Sequence, residues 1–208
     1  MAIRVLHLVH WLNHGGIENW LLDLIRHTDR NQIEMDVCCR GPFAGGDLAP
    51  HYELAGARIL HAPLAWDHIR FGRKLGRLLR EGKYDVLHVH AGSLAGYPLA
   101  VGRHNGVATA VTFHTTSFPS EGSLACALGW LRRLYTQRSF SVACRIGNAI
   151  ISCSHSTELA ITRLSGAAPD NRFHVVFNGT SKSPGRCQVA IVFLRVDAHR
   201  GQEICLCH

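Results

Sequence analysis

Gly15-Gly16-Ile17-Glu18 is the first stretch of this chain whose residue types and spacing could do chemistry. It follows an apolar run, Ile3–Val9, and precedes a helical pattern of Trp20, Leu21, Leu24 and Ile25. A strand, a glycine turn and a helix start, in that order, can build a ligand site. Glycine lets a ligand approach the main chain. The helix start offers free N–H groups and the positive end of a dipole, which favour an anion such as a diphosphate. The other reading is that Gly15-Gly16 is a tight turn and nothing more, and a glycine pair alone does not decide between them.

Further polar residues follow the other apolar runs: His10 and His14 after the first, then His90, His114, Ser154 and Asn178. Polar groups gathered at one edge of an otherwise apolar sheet would form a site. Each has a plain structural alternative: His88 and His114 could be satisfied core histidines, and Ser154 reads as a helix N-cap.

The elements that would position these residues alternate regularly. Runs of β character lie at Ile3–Val9, Met35–Cys39, Ala57–His61, Tyr84–His90, Ala108–Phe113, Ala149–Cys153 and Phe173–Phe177. Between them fall helical patterns at Ile17–His27, His51–Ala55, His68–Arg80, Leu94–Arg103 (weakened by Pro98), Gly122 to about Arg145, and His155–Leu164. In the longest of these, Leu124, Leu128, Leu131 and Leu134 are expected to face inward. The alternation predicts an α/β fold with an open, mostly parallel, doubly wound sheet, Rossmann-like. Ligands of such sheets sit at the carboxyl ends of the strands.

Bulk properties narrow the partners. A chain of 208 residues with 47% apolar content affords one large domain with a full core, or one and a fragment of another. The formal charge of +7 suits anionic partners. No run interleaves aromatic residues with Lys and Arg, so nucleic acid is not an expected partner. The eight cysteines form no C-x-x-C pair, and with no signal-peptide pattern or membrane-length apolar run we expect a cytoplasmic protein with reduced, mostly buried thiols. The basic helices Arg70–Lys83 and Arg132–Arg145 are read as solvated faces. The alternative is peripheral contact with the anionic inner face of a membrane.

Five pieces in order carry a family resemblance. They are Gly15-Gly16-Ile17-Glu18, Asp85-Val86-Leu87-His88-Val89-His90, Val111-Thr112-Phe113-His114-Thr115, Ile150-Ile151-Ser152-Cys153-Ser154 and Val175-Val176-Phe177-Asn178-Gly179. Over residues 1–180 the chain resembles the N-terminal, acceptor-side half of family-4 retaining glycosyltransferases of the GT-B fold. The resemblance implies transfer of a sugar from a nucleotide-diphosphate donor to a carbohydrate or lipid-linked acceptor, with no cofactor and no metal. It implies His114 as the catalytic residue, donating a hydrogen bond toward the leaving phosphate. It places Gly15, Gly16, His90, Thr115, Ser154 and Asn178 against substrate.

After Gly179 the family pattern stops. Residues 181–208 supply no candidate for the paired glutamates of the family's second half, and we expect a disordered or out-of-frame tail. Gln188–Val196 alternates like a strand, with no evident partner. Cys187, Cys205, Cys207 and His208 fit no zinc-module spacing. We therefore expect a truncated form with weak or no turnover. The competing reading is a non-catalytic module that binds an acceptor or a partner. A dinucleotide oxidoreductase is disfavoured because the turn lacks a full G-x-G-x-x-G.

Overall fold

A strand with apolar residues at nearly every position must be covered on both faces, and the first strand shows how. In β1 (Ile3–Val9), Val5 and Val9 point to one side, and Leu6 and Leu8 to the other; all four are buried. The computed structural model describes residues 2–64, 67–90, 92–115, 127–177, 191–195 and 203–207.

Six further strands join β1 in one sheet: β2 (Ile33–Cys39), β3 (Ile59–His61), β4 (Val86–Val89), β5 (Ala108–Phe113), β6 (Ala149–Ser152) and β7 (Phe173–Val175). Every pairing is parallel and the spatial order is β3-β2-β1-β4-β5-β6-β7. The order reverses between β1 and β4, which opens a crevice at their carboxyl ends.

The helices divide between the two faces. On one, Val5, Val9, Val37 and Val86 meet α1 (Gly16–His27), through Leu21, Leu22 and Ile25, and α2 (Ala49–Leu54), through Tyr52. On the other, Leu6, Leu8, Leu87 and Val111 meet α3 (His68–Glu81), α4 (Gly96–His104), α5 (Ala127–Ile146) and α6 (His155–Ser165). Pro98 is tolerated because it falls in the first turn of α4, where a backbone N–H has no intrahelical acceptor. The basic face of α3, with Arg70, Arg73, Lys74, Arg77 and Arg80, is exposed, opposite Phe71, Leu75 and Leu79.

Toward the amino half of the sheet, on the α3 face, Asp36 is buried in a charge-matched network. Arg58 donates to it from its backbone N (2.8 Å), Nε (3.1 Å) and Nη2 (2.7 Å). The Tyr84 hydroxyl donates at 2.6 Å, and Arg4 Nη2 lies 3.8 Å away. Burial pushes the Asp36 carboxyl up, but the hydrogen bonds from Arg58 and Tyr84 outweigh it and hold the group below its ordinary value.

Two expectations are corrected. Leu131 does not face inward: it is 53% exposed, and α5 buries Thr136, Ser139, Phe140, Ala143 and Cys144 instead. The described part of the helix is seated by its second half, where small residues allow close approach; Leu124 and the side chain of Leu128 lie outside the described residues. The strand expected within Gln188–Val196 does have a partner, since β8 (Ile191–Arg195) pairs antiparallel with β9 (Glu203–Cys207) as a separate hairpin. Their sequence separation is too short for a parallel crossover but ample for a hairpin.

Candidate functional site

The glycine turn opens α1 as expected. Gly15 is the extended N-cap residue (φ −151°, ψ 166°) without a side-chain cap, and the Gly15 carbonyl accepts from Asn19 N at 3.0 Å and from Asn19 Nδ2 at 2.8 Å. A methyl group on Gly16 would meet nothing within 4 Å, so this backbone is open to a ligand. One on Gly15 would collide with the carboxylate of Glu18, which folds back over the turn. The segment before the turn is clamped by Gly45 and Gly46. Leu12 N donates to Gly45 O (3.0 Å), and Gly46, at φ +151°, packs so close to Leu12 and Asn13 that a side chain there is excluded.

The histidines form a row on the same sheet face as α1. Register pairs His7 with His88 and His88 with Ala110, so His7, His88, His90, Thr112 and His114 share one side. His7 Nδ1 lies 3.0 Å from His90 Nε2, and His90 Nδ1 lies 3.1 Å from His114 Nε2. His88 Nε2 is 2.7 Å from Thr112 Oγ1. His7, His88 and His90 are buried. Trp20, in the second turn of α1, packs its edge against both outer rings, with centroids 6.0 Å from His90 and 5.7 Å from His114. Gly16 and His114 therefore stand on the same side of the sheet, joined through Trp20.

His114 is half-buried, and burial pushes its pKa down to about 4. Its ring is neutral at pH 7. One nitrogen is shared with His90, and the other, Nδ1, is buried with no hydrogen-bond partner. A neutral imidazole has one donor and one acceptor nitrogen. His114 can thus donate or accept at Nδ1, according to the direction of the bond from His90.

The remaining expected site residues are dispersed. His10 stands at the rim beside Arg40, its pKa lowered by burial and then by that cation. His14 and Thr115 are exposed at the same edge of the sheet. The Ser154 hydroxyl caps α6, accepting from Thr157 N at 3.2 Å. Asn178 lies outside the described residues.

The sequence offered no metal-module spacing, yet His7, His88 and His90 present ring nitrogens that all lie within 4.8 Å of one another, the grouping a transition metal would need. Those nitrogens already bond one another and Thr112, so a metal would have to displace hydrogen bonds. His7, Thr112 and Trp20 were not singled out beforehand. Residue parity along the strands, with His88 and His90 or Thr112 and His114 two apart, was the available signal.

Helices on both faces of a parallel sheet, with a polar rim at its switch point, define a Rossmann-like class of domain. The Glycosyltransferase Family 4 model matches residues 14–183, and the chain belongs to that family. Among solved structures, it is similar to HepE of Anabaena in complex with UDP-glucose (TM-score 0.62, 17% identity, 86% of this chain and 44% of that one). It is also similar to MurG of Acinetobacter baumannii (TM-score 0.55, 11% identity, 88% and 47%). A third similar structure is the UDP-N-acetylglucosamine 2-epimerase of Rickettsia bellii (TM-score 0.52, 9% identity, 86% and 45%). At these identities the likeness shows the fold. The chain spans under half the length of these structures. No curated protein sequence matches it.

Proposed function

We propose that this chain supplies the acceptor-side half of a glycosyltransferase that moves a sugar from a nucleotide-diphosphate donor to a carbohydrate or lipid-linked acceptor. One observation carries the reading. At the switch point of the sheet, the open Gly16 backbone, Trp20, His90 and His114 lie on one face. Membership of the family supports the reaction class. HepE, which has the same fold in this half, is a complex with UDP-glucose, and this supports a nucleotide sugar as ligand here.

In this proposal the donor diphosphate approaches the first turn of α1, where main-chain N–H groups and the dipole favour negative charge. Glu18 occupies part of that field, so the anion binds as its carboxylate swings away. Trp20 walls the cleft beside the sugar. A neutral His114, its second nitrogen fixed by His90, donates a hydrogen bond toward the charge that develops on the leaving phosphate. His10 and Thr115 stand at the rim, whereas Ser154 acts through the cap of α6. No cofactor or metal takes part.

Residues 1–208 in isolation hold the donor from one side, so we expect binding with little turnover. The non-catalytic binding module remains the second reading, favoured by the engaged ring nitrogen of His114. The setting we propose is cytoplasmic, with the basic face of α3 solvated or resting on anionic lipid; no helix among the described residues is long and apolar enough to cross a membrane. The test is a calorimetric titration with UDP-glucose and other nucleotide sugars, alongside radiolabelled transfer. Saturable binding of at least one donor supports the proposal. Binding of none contradicts it, and robust transfer by these residues alone contradicts the expectation of weak turnover.

A further inference from the structure

Among the described residues, Arg40 has no acidic ion-pair partner. It follows β2 directly, where Arg40 N donates to Val9 O (2.9 Å) and Gly41 N to His10 O (2.7 Å). Arg40 and His10 are thus neighbours on the carboxyl edge of the sheet. Val9 and Cys39 face α1 and α2, so the next residues on each strand turn to the opposite face, where α5 lies. The Arg40 side chain is half-buried, and its Nε is out of solvent with no hydrogen-bond partner. None of the ion pairs among the described residues includes it.

The described polar groups that feel its charge, His10 and Tyr135, carry no negative charge at neutral pH. His10 is an imidazole stacked at a tilt on Trp11, with ring centroids 4.4 Å apart. Tyr135 of α5 lies within the field of Arg40, and its hydroxyl is 2.9 Å from His68 Nε2. Burial pushes the Tyr135 phenol up, so it stays neutral. Arg58 provides the contrast, since it meets Asp36 through three nitrogens. Withdrawing a guanidinium from water without such a partner is costly. An uncompensated cation at the ligand-bearing edge of a sheet is a functional candidate.

We propose that Arg40, flanked by His10 and Tyr135, binds a phosphate-type oxyanion, and that the acceptor of this enzyme carries that phosphate. The guanidinium suits it, because Nε and a terminal nitrogen form a planar fork that takes two oxygens at once. The buried setting strengthens the attraction by lowering the local dielectric. The word acceptor rests on the transferase reading above; the anion site rests on Arg40 alone. The phosphate can belong to a soluble phosphoester or to a lipid headgroup.

The experiment follows the ring resonances of His10 in histidine-labelled protein as inorganic phosphate is added. Co-sedimentation with phosphatidylglycerol or phosphatidylcholine vesicles runs in parallel, each with wild type, Arg40→Gln and Arg40→Lys. The expected result is a saturable His10 response that Arg40→Gln weakens at least tenfold and Arg40→Lys weakens less. A response to free phosphate without vesicle binding assigns a soluble phosphoester. Arg40-dependent binding to phosphatidylglycerol alone assigns a lipid headgroup. A His10 response that is unchanged in Arg40→Gln, or no Arg40-dependent binding of either kind, overturns the site. Thermal unfolding checks each variant, and Arg40→Lys keeps the comparison if Arg40→Gln does not fold. UDP-glucose is titrated into the same samples: if it fails to bind while the His10 response stands, the transferase reading falls and the anion site remains, and the reverse removes the anion site only.

Discussion

Two polar groupings are set into one sheet, and they are built on opposite rules. Toward the amino half, on the α3 face, the Asp36 carboxylate is matched by Arg58, Tyr84 and Arg4. At the carboxyl edge, on the α1 face, His7, His90 and His114 are linked by hydrogen bonds but end on a ring nitrogen with no partner. The first grouping is closed on itself and ties the starts of β3 and β4 to β2. The second is rigid at its buried end and unfinished at its outer end. A fold can place polar groups inside for hold or for use, and the unfinished partner marks which is which.

Breaking the closed grouping should give the largest effect. Asp36→Ala removes the acceptor of the Tyr84 hydroxyl and of the Arg58 backbone N and Nε, and leaves only the bond from Arg58 Nη2 to the Tyr84 oxygen. It should lower unfolding stability by about 3 kcal/mol, the low end for a buried pair because Arg58 keeps much of its side chain in water. Urea denaturation measures this, and a loss under about 1 kcal/mol would remove the contrast with the histidine row.

Acid sharpens the comparison, because the two groupings fail in different windows. His114 is lowered to about 4 from 6.5, so between those values the unfolded chain binds a proton that the folded chain does not. Stability therefore falls as pH drops below 6.5, by about 2 kcal/mol at pH 5. His114→Gln should flatten that part of the profile. The folded pKa of Asp36 is depressed, so its contribution is intact above the ordinary value of 3.8 and is lost only as pH falls below it. A stability profile that is flat from pH 7 to 5 in wild type would contradict the burial of a neutral His114.

The smallest effect separates cap from contact. Ser154→Ala should cost about 1 kcal/mol through loss of the α6 cap, with nucleotide-sugar affinity unchanged. A change in affinity at constant stability would return Ser154 to the substrate.

Much of the fold could be read from residue order. The Ile3–Val9 and Ala108–Phe113 strands stand at the expected bounds, because uninterrupted apolar runs between helical patterns leave little choice in a parallel sheet. Leu131 misled because an apolar periodicity says which residues could be buried, and not which half of a long helix the neighbours touch. Gly15, Gly16, His90 and His114 were visible as strand-end residues. His7 was hidden mid-strand, where a histidine reads as an interruption of the core until the register of β1 against β4 is known. Arg40 gave no signal at all. An arginine after a strand is ordinary, and only the lack of an ion-pair partner among the described residues sets it apart.

The central claim is that the Gly16 backbone and the outer end of the histidine row form one nucleotide-sugar site. Calorimetric titration of UDP-glucose into wild type and Gly16→Ala tests it most directly, since a methyl group there touches no protein atom. Unfolding stability should hold or rise slightly, and binding should weaken at least tenfold, about 1.4 kcal/mol. Equal affinity in the two proteins would contradict it.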